Sequence, residues 1–247
     1  MQFHKLLPES SDLALDELLW ALDDLSARDG RPYVLVNFIA SADGRATFQG
    51  KSGALGNESD HAVFHGLREH ADAILAGTGT LRVERYGRIL GKAERRERRV
   101  ARSLEPEPLA CAVTRTGAVP LDIPLFSEPE ARVVVFTGTE IDVTGVAAQT
   151  DVVVVPAAEL TLAAVLQRLY ADFGVRLLLC EGGPSLFGSL LHEGLVDELF
   201  LTVAPKLAGG GPAMPITAGP ELAAPASLKP VWVLERQGSL FLRYSVG

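Results

Sequence analysis

Short apolar runs alternate with glycine turns and amphipathic segments along the chain. Residues 33–39 form a β-branched apolar run followed by the polar stretch 41–44, which predicts a buried strand that opens into a loop. Residues 72–76 form a second run that leads into the glycine-containing turn 77–80, and the run 176–180 leads in the same way into the turn 181–184. This order of strand, glycine turn and helix is typical of an α/β protein.

Apolar residues at helical spacing predict the flanking helices. The first covers residues 11–28 behind the cap candidate Ser11, and we expect it to form an N-terminal extension over residues 1–30. A second helix is predicted from about residue 58 to 69 behind the cap candidate Asn57. Two further helices are predicted over 161–173 and about 185–193.

The remaining apolar runs complete a sheet. Four runs predict strands, namely 109–113, 132–136, 152–155 and 198–203. The first three are separated by Pro, Gly and Asp and are typical of parallel strands buried on both faces. Residues 231–236 and 239–245 flank Gln237 and Gly238 and alternate like an antiparallel hairpin. We therefore predict, over residues 31–247, an α/β fold with a mixed, mostly parallel sheet flanked by helices and a C-terminal antiparallel hairpin.

Composition limits the classes of function. With 247 residues, 47% hydrophobic and 22% charged, the chain can bury a proper core, and one large domain with an appendage is expected. Lys and Arg number 23 against 31 Asp and Glu, and this net charge of −8 argues against a nucleic-acid partner. No apolar run reaches the ~18 residues of a membrane span, so no membrane partner is expected either.

Cysteines and histidines give no framework for a disulfide or a metal. Cys111 and Cys180 lie far apart in apolar runs, which fits a reduced, cytoplasmic setting. His61 and His65 have a spacing of four residues but lack the glutamate of a zinc-protease motif. We therefore expect no metal site.

The two glycine turns are candidate phosphate cradles. Glycines let a ligand approach the backbone, and the helix that follows points free N–H groups at an anion. Neither turn completes the dinucleotide fingerprint, because Arg82 stands where the third glycine belongs, so a simple tight turn is the alternative at each. Two such turns at the carboxyl edge of one sheet favour a dinucleotide or another ligand with several phosphates. The glycine cluster 209–211 is either a closing loop or a turn.

Polar side chains near strand ends are further candidates. Asn37 lies within an apolar run, Asp43 in the loop after it, and Glu181 at the end of another. A carboxylate in such a place is costly unless it is paired or used, which favours a ligand-facing role for Glu181. The basic run 85–102 is either a solvated face or the source of an arginine that clamps a phosphate.

Several stretches together resemble one known family. They are 37–45, 67–80, 181–186, 195–198 and 204–210, and in this order they are similar to the reductase domain of bacterial riboflavin-biosynthesis deaminase/reductases. The resemblance implies a dihydrofolate-reductase-like fold, a homodimer and NADPH as cofactor. It also implies reduction of the ribosyl group of 5-amino-6-(5-phosphoribosylamino)uracil 5′-phosphate to ribityl.

The same resemblance implies roles for individual residues. Ala40 and Ala54 match positions near the nicotinamide, Thr80 and Glu84 match ribose and pyrophosphate positions, and Arg115 is a candidate for the 2′-phosphate. The cofactor turns would comprise Gly77, Gly182, Gly183, Pro184, Ser185, Leu186, Phe187, Gly188 and Ser189. Ser52, Arg68 and Glu181 match substrate contacts. The residues expected at the reaction centre are Glu181, Asn37 and Asp43, of which Asp43 either acts on substrate or holds its loop.

Three departures from the family pattern matter. The zinc deaminase signature is absent, so we expect a reductase without the deaminase half. The family's Asp, Pro and phosphate-holding Arg are replaced by the segment 82–88, so that clamp is either rebuilt from Arg85 or Arg88 or absent. Asn37 stands where many members have a lysine, which removes a cation from the expected reaction centre.

These features predict hydride transfer from C4 of NADPH to C1′ of the ring-opened substrate, while the protein orients the reactants and excludes water. Two alternatives remain open from the sequence. One is an NADPH-dependent reductase of dihydrofolate or another pteridine. The other is a nucleotide-binding module without catalysis.

Overall fold

The structure, a computed structural model, describes residues 1–210 and 214–247. Gly211, the last member of the predicted glycine cluster, lies outside the described residues. The chain divides into two compact units. The first comprises Met1–Leu25, Val34–Leu67 and Pro184–Gly247, and the second comprises Ser26–Tyr33 and Arg68–Gly183.

Strands and helices alternate along most of the described chain. The strands are β1 (Gln2–Leu7), β2 (Ser11–Ala14), β3 (Tyr33–Ser41), β4 (Ala73–Gly77), β5 (Leu109–Thr114), β6 (Arg132–Thr137), β7 (Gln149–Val154), β8 (Leu177–Cys180), β9 (Glu198–Ala204), β10 (Leu228–Arg236) and β11 (Ser239–Val246). The α-helices are α1 (Leu15–Leu19), α2 (Glu58–His70), α3 (Thr78–Glu84), α4 (Ala93–Ala101), α5 (Leu162–Phe173) and α6 (Pro184–His192). The mixed α/β fold with antiparallel C-terminal strands is confirmed.

The strands of the first unit lie in the order β2-β1-β10-β11-β9-β3. Only β9 and β3 pair in parallel, and the other neighbours are antiparallel. The predicted C-terminal hairpin turns at Gln237 and Gly238, whose φ angles of 53° and 77° suit the tight turn that matches strand twist. Inside the unit, the ring of Trp232 meets that of Phe200 edge-on at 5.7 Å.

The prediction of a helix over residues 11–28 is wrong in two respects. Its first residues form a strand, and the helix that follows is much shorter than predicted. Residues Ser11–Ala14 form β2, which pairs with β1, and β1 in turn pairs with β10. The helix itself covers only Leu15–Leu19 before a short 3₁₀ turn over Trp20–Leu22. Leu15, Leu18, Leu19 and Leu22 of the predicted apolar stripe are buried and Leu25 is half-buried, but the first residues of the segment pair with the preceding strand β1 instead of forming helix.

The second unit is a wholly parallel arrangement in the order β8-β4-β5-β6-β7. Its strands coincide with the predicted runs. The runs that became β5, β6 and β7 were predicted to be buried on both faces. This prediction is wrong for β7, which lies at the end of the strand order and has half-exposed and exposed residues. Among the described residues, no helix is long and apolar enough to cross a bilayer.

Helix α2 begins as predicted. The side chain of Asn57 accepts the backbone N–H of Asp60 at 2.9 Å, which satisfies one of the free donors at the helix start. The Asn57 amide also donates to Ser239 Oγ at 3.0 Å, and Ser59 Oγ donates to Gln237 Oε1 at 3.2 Å. These contacts hold the start of α2 against the β10–β11 hairpin.

Candidate active site

The two glycine turns lie side by side in the second unit. β4 and β8 are parallel neighbours, with Leu75 opposite Cys180, so the turns that follow them emerge at the same edge. A methyl group added at Gly183 would meet Thr80 Oγ1 at 3.1 Å, which shows how closely the second turn approaches α3. The expectation that both turns open at the carboxyl edge of one sheet is confirmed.

The first turn has room for a ligand. A side chain added at Gly77 or Gly79 would meet nothing within 4 Å. Thr80 is half-exposed and Glu84 exposed in α3. After the second turn, α6 starts at Pro184, a residue well suited to the first helical position. Open backbone at one turn and a close approach at the other fit a dinucleotide pyrophosphate.

Residues 184–189 divide between surface and core of the first unit. Ser185 and Ser189 are exposed, and Ser189 Oγ donates to the carbonyl of Ser185 at 3.0 Å. The Phe187 side chain is buried and stacks on Phe38 with ring centroids 5.2 Å apart. A methyl group at Gly188 would fall 2.0 Å from the Ala218 carbonyl oxygen, so this glycine permits a backbone approach. Leu186 is half-buried.

Arg68 and Glu181 form a buried, two-armed ion pair. Arg68 Nε donates to Glu181 Oε1 and Arg68 Nη2 donates to Oε2, each at 2.7 Å. The exposed fractions of the two side chains are 9% and 2%. Arg68 Nη1 also donates to the carbonyl of Ile89 at 3.0 Å. Such planar pairing is the strong form of a charge-assisted contact.

Tyr86 completes this cluster. Its hydroxyl donates to Glu181 Oε2 at 2.8 Å, and the Arg68 guanidinium lies 5.2 Å from its ring centroid. Burial and the neighbouring Glu181 carboxylate raise the pKa of the Tyr86 hydroxyl well above its usual value. Burial acts to lower the pKa of Arg68, but the Glu181 carboxylate outweighs it and raises that pKa. Tyr86 therefore keeps its proton and Arg68 its charge.

Asp43 holds two loops of the first unit together. Its carboxylate accepts the Ser41 hydroxyl at 2.5 Å and the backbone N–H groups of Ala208 and Gly209 at 3.0 and 2.8 Å. The Ser41 hydrogen bond, followed by those two backbone donors, lowers the pKa of Asp43 to about 2. Of the two roles open from the sequence, these contacts support the holding of the loop.

Lys206 ties a third loop to the same place. Its ammonium group donates to the carbonyls of Ala54 and Gly56 at 2.8 and 3.4 Å. Ala54 is exposed, so its peptide group is held while its surface stays open. The backbone N–H of Ala42 donates to the Lys206 carbonyl at 2.9 Å. The loops after β3 and β9 and the loop before α2 are thus joined through Asp43 and Lys206.

Asn37, Ala40 and Ser52 also lie in the first unit. Asn37 is half-exposed on β3, opposite Phe200 of β9, and its side-chain amide has no hydrogen-bond partner within residues 1–210 and 214–247. Ala40 is buried near the end of the same strand, and Ser52 is half-exposed in the loop before α2. The unpaired amide leaves Asn37 available to a ligand.

Most arginines of the basic run have internal partners. Arg95, Arg98 and Arg102 surround the Glu69 carboxylate. Arg99 is 1% exposed, and burial lowers its pKa to about 10. The Arg99 guanidinium donates to the carbonyls of Arg68, Glu69, Ala71 and Glu105. Helix α4 therefore caps the C-terminal end of α2, and the expectation of a solvated face is wrong for Arg99, which is buried.

The remaining arginines differ in how firmly they are held. Arg88 pairs with Glu107 and Glu130, which leaves it little freedom to bind a phosphate. Arg85 is exposed and only loosely paired with Asp122, at 3.5 Å. Arg115 is exposed just after β5, and its side chain has no polar partner in the described part of the chain. Among the arginines predicted to bind a phosphate, Arg85 and Arg115 thus remain available for such a ligand.

Sequence reasoning assigned no role to Tyr86 and Lys206. Lys206 stands within one of the family-like stretches, and Tyr86 within the segment that departs from the family. The departure was the signal, because a segment that loses one contact must find another place to pack. No group of three or more His, Cys, Asp or Glu within the described ranges is arranged to hold a metal ion.

Comparison with known proteins gives a consistent result. Residues 32–236 match the family model of the RibD C-terminal domain. A protein of Archaeoglobus fulgidus named 2,5-diamino-6-ribosylamino-4(3H)-pyrimidinone 5′-phosphate reductase is 35% identical, over 73% of this chain and 83% of its own length. The riboflavin biosynthesis protein RibD of Aquifex aeolicus is 28% identical over 73% of this chain, which spans about half (48%) of that relative.

Solved structures have the same fold. A pyrimidine reductase-like protein from Corynebacterium diphtheriae superposes with a TM-score of 0.75, at 24% identity, over 87% of this chain and 92% of that one. The riboflavin biosynthesis reductase Rib7 of Saccharomyces cerevisiae gives a TM-score of 0.70 at 18% identity, over 94% of this chain and 99% of that one.

Proposed function

The chain belongs to the RibD C-terminal domain family, and from this membership we propose that it is the NADPH-dependent ribosyl reductase of riboflavin biosynthesis. The reaction converts the ribosyl group of a ribosylaminopyrimidine 5′-phosphate into a ribityl group. The structural observation that carries the proposal is the pair of adjacent glycine turns after β4 and β8, where Gly183 closely approaches Thr80.

The second unit contains six of the fourteen residues proposed to contact the cofactor. The nicotinamide cofactor supplies the hydride. Gly77, Thr80, Gly182 and Gly183 would hold its pyrophosphate, with Glu84 beside a ribose. Arg115 would bind the 2′-phosphate, because an exposed guanidinium without an internal partner can meet a phosphate with two hydrogen bonds. This assignment makes NADPH, rather than NADH, the expected cofactor.

The first unit contains the other residues that the family resemblance assigns to the cofactor and to the reacting part of the substrate. By the family resemblance, Ala40 and Ala54 would lie by the nicotinamide and the pyrophosphate would also meet the exposed start of α6 at Pro184 and Ser185. The free Asn37 amide would bind substrate, and Ser52 would contact it from the loop before α2. Asp43 keeps the surrounding loops in place, so its contribution to the reaction centre is indirect.

The substrate contacts proposed for Arg68 and Glu181 need refinement. Both oxygens of Glu181 already accept hydrogen bonds from Arg68 and Tyr86, and the side chain is 2% exposed. These contacts support an orienting role for the pair rather than proton donation by Glu181. Because Arg88 is committed to carboxylates, Arg85 is the proposed contact for the substrate phosphate.

A second question is whether the pyrimidine base of the substrate is the diaminopyrimidinone or the deaminated uracil. The Archaeoglobus relative, matched over 83% of its length, carries the name of a diaminopyrimidinone reductase, whereas RibD relatives are matched over about half of theirs. We therefore propose the 2,5-diaminopyrimidinone as the preferred substrate. The uracil form, after deamination, is the second candidate. A cytoplasmic homodimer acting on this small pyrimidine is part of the proposal.

The test is steady-state oxidation of NADPH or NADH by the purified protein with each pyrimidine, and with dihydrofolate as a third substrate. We expect turnover with the pyrimidines, fastest with the diaminopyrimidinone, and a clear preference for NADPH. Arg115→Ala should reduce that preference by roughly tenfold or more, whereas the exposed control Arg82→Ala should not. Turnover with dihydrofolate but with neither pyrimidine would refute the proposal. So would a lack of turnover with all three substrates.

A further inference from the structure

Helix α3 meets the turn after β8 at both of its ends. Near its start, Thr80 Oγ1 lies where a methyl group added at Gly183 would fall only 3.1 Å away. Just beyond its end, the Tyr86 hydroxyl donates to Glu181 Oε2 at 2.8 Å. Glu181 and Gly183 belong to the same short turn, so this turn runs close to α3 near its start and is hydrogen-bonded to Tyr86 just beyond its end.

We propose that Tyr86 is a positioning residue that clamps α3 to the 181–183 turn through Glu181 and thereby sets the shape of the two glycine turns. The proposal rests on the function above in one respect, namely that these turns hold the cofactor. It assigns the departing segment 82–88 a new task, because Tyr86 contributes the hydroxyl that closes the Arg68–Glu181 cluster.

The rest of the backbone around Tyr86 makes the clamp rigid. Its N–H donates to the carbonyl of Leu81 at 3.3 Å, and its carbonyl accepts the N–H of Leu125 at 2.8 Å. The preceding residue, Arg85, ends α3 in the left-handed conformation with φ of 47°. The side chain of Tyr86 is therefore directed by a turn fixed on both sides, rather than by a free loop.

Glu181 is held equally firmly on its own side. Its backbone N–H donates to the carbonyl of Leu75 at 3.0 Å, which anchors the start of the turn to β4. Its carboxylate takes two hydrogen bonds from Arg68 and one from Tyr86. A low-dielectric, fully partnered cluster of this kind fixes geometry, since losing one hydrogen bond leaves a buried acceptor short of a donor.

The raised pKa of Tyr86 agrees with this role. Burial and the Glu181 carboxylate keep the hydroxyl protonated, so it remains a donor through the neutral and mildly alkaline range. The clamp is thus independent of pH where the enzyme would work. A group that transferred protons in the reaction would need a pKa nearer the operating pH.

The test compares hydrogen exchange and NADPH binding in Tyr86→Phe, Glu181→Gln and the double variant. Phe keeps the ring against Arg68 and removes only the hydroxyl. We expect faster exchange of the Gly182 and Gly183 amides, unchanged exchange in β6, and roughly three- to tenfold weaker NADPH binding. The double variant should lose less than the sum of the two single losses, since both single changes act on the same contact.

Tyr170→Phe is the matched control, because that tyrosine is exposed on α5. Two results would overturn the clamp: Tyr86→Phe with wild-type exchange at the turn, or a uniform rise of exchange over the whole chain. If the wild-type protein binds no NADPH, the proposed function fails. The exchange measurement still decides whether Tyr86 holds the turn.

Discussion

The Asp43 carboxylate accepts the backbone N–H of Gly209 at 2.8 Å, which joins the loop after β3 to the loop after β9. The two Asp43 carboxylate oxygens accept hydrogen bonds from backbone amides and from the Ser41 hydroxyl, and all of these donors favour the ionised form of Asp43. Because a carboxylate that already accepts hydrogen bonds from two loops is not free for proton transfer, Asp43 acts on the site by holding these loops in place.

Asp43→Asn should therefore impair the enzyme through loop geometry. An amide offers one acceptor oxygen where the carboxylate offers two, so at least one backbone N–H of Ala208 and Gly209 loses its partner. We expect kcat/KM to fall by about ten- to hundredfold with a lower unfolding temperature. Asp142→Asn, at an exposed carboxylate outside the proposed site, serves as the control, and an Asp43→Asn variant with wild-type kcat/KM would contradict this role.

The same contact predicts a pH dependence of stability. The pKa of Asp43 is about 2 in the folded protein against an ordinary 3.8, so its ionised form favours the folded state. The stabilisation is complete well above pH 3.8 and disappears as the pH falls through 2. The free energy of unfolding of wild type minus that of Asp43→Asn should be constant near neutrality and shrink toward pH 2 in urea titrations.

Arg68→Met should be strongly destabilising. It leaves the Glu181 carboxylate buried without its cation, and breaking a buried pair in this way costs about 3–5 kcal/mol of unfolding free energy. Arg168→Met removes the exposed pair with Asp172 on α5 and should cost less than about 0.5 kcal/mol. Urea unfolding of both variants measures the contrast, and equal losses would show that burial of the Arg68 pair is unimportant.

Gly183→Ala should weaken cofactor binding more than it affects folding. The added methyl group would press on Thr80 Oγ1 at 3.1 Å, so the Thr80 side chain must shift by a few tenths of an ångström in the proposed cofactor site. Gly91→Ala is the matched control, because nothing lies within 4 Å of its added methyl group and Gly91 lies outside both glycine turns. We expect NADPH affinity to fall by roughly tenfold in Gly183→Ala, with partial recovery in Gly183→Ala/Thr80→Ala. Full affinity in the single variant would place the cofactor elsewhere.

Arg99→Met should destabilise the second unit by about 2–4 kcal/mol, because it leaves several buried carbonyls without a donor. The guanidinium donates to Glu69 and Ala71 at 2.9 and 2.6 Å, at the end of α2. Arg82→Ala, an exposed change in α3, should alter the unfolding free energy by less than about 0.5 kcal/mol. If Arg99→Met unfolds like wild type, α4 does not cap α2.

Local pattern predicted the strands and helices wherever periodicity and burial agree. The runs that became β4, β5 and β6 are apolar, and each of these strands lies between two neighbours in the order of the second unit. The pattern failed where strand pairing and the position of a strand in the sheet decide the outcome. Residues Ser11–Ala14 are captured by β1, and β7 is partly exposed because it lies at the end of the strand order.

The candidate site shows the same division. The glycine turns and the importance of Glu181 and Arg68 followed from strand ends and family resemblance. The hydrogen-bond partners of the charged side chains could not be predicted in this way, because those partners lie far away in the sequence. Glu181 meets Tyr86 across 95 positions, and Lys206 meets Ala54 across 152. Neither distance leaves a periodic signal in the chain.

The central claim is hydride transfer from a nicotinamide to the ribosyl carbon C1′. The most direct measurement incubates the protein with C4-deuterated NADPH and each ribosylaminopyrimidine 5′-phosphate, and locates deuterium in the product by mass spectrometry and NMR. The account predicts a ribityl product with deuterium at C1′ that forms only with active protein. NADPH oxidation without deuterium at that carbon, or no product from either pyrimidine, would contradict it.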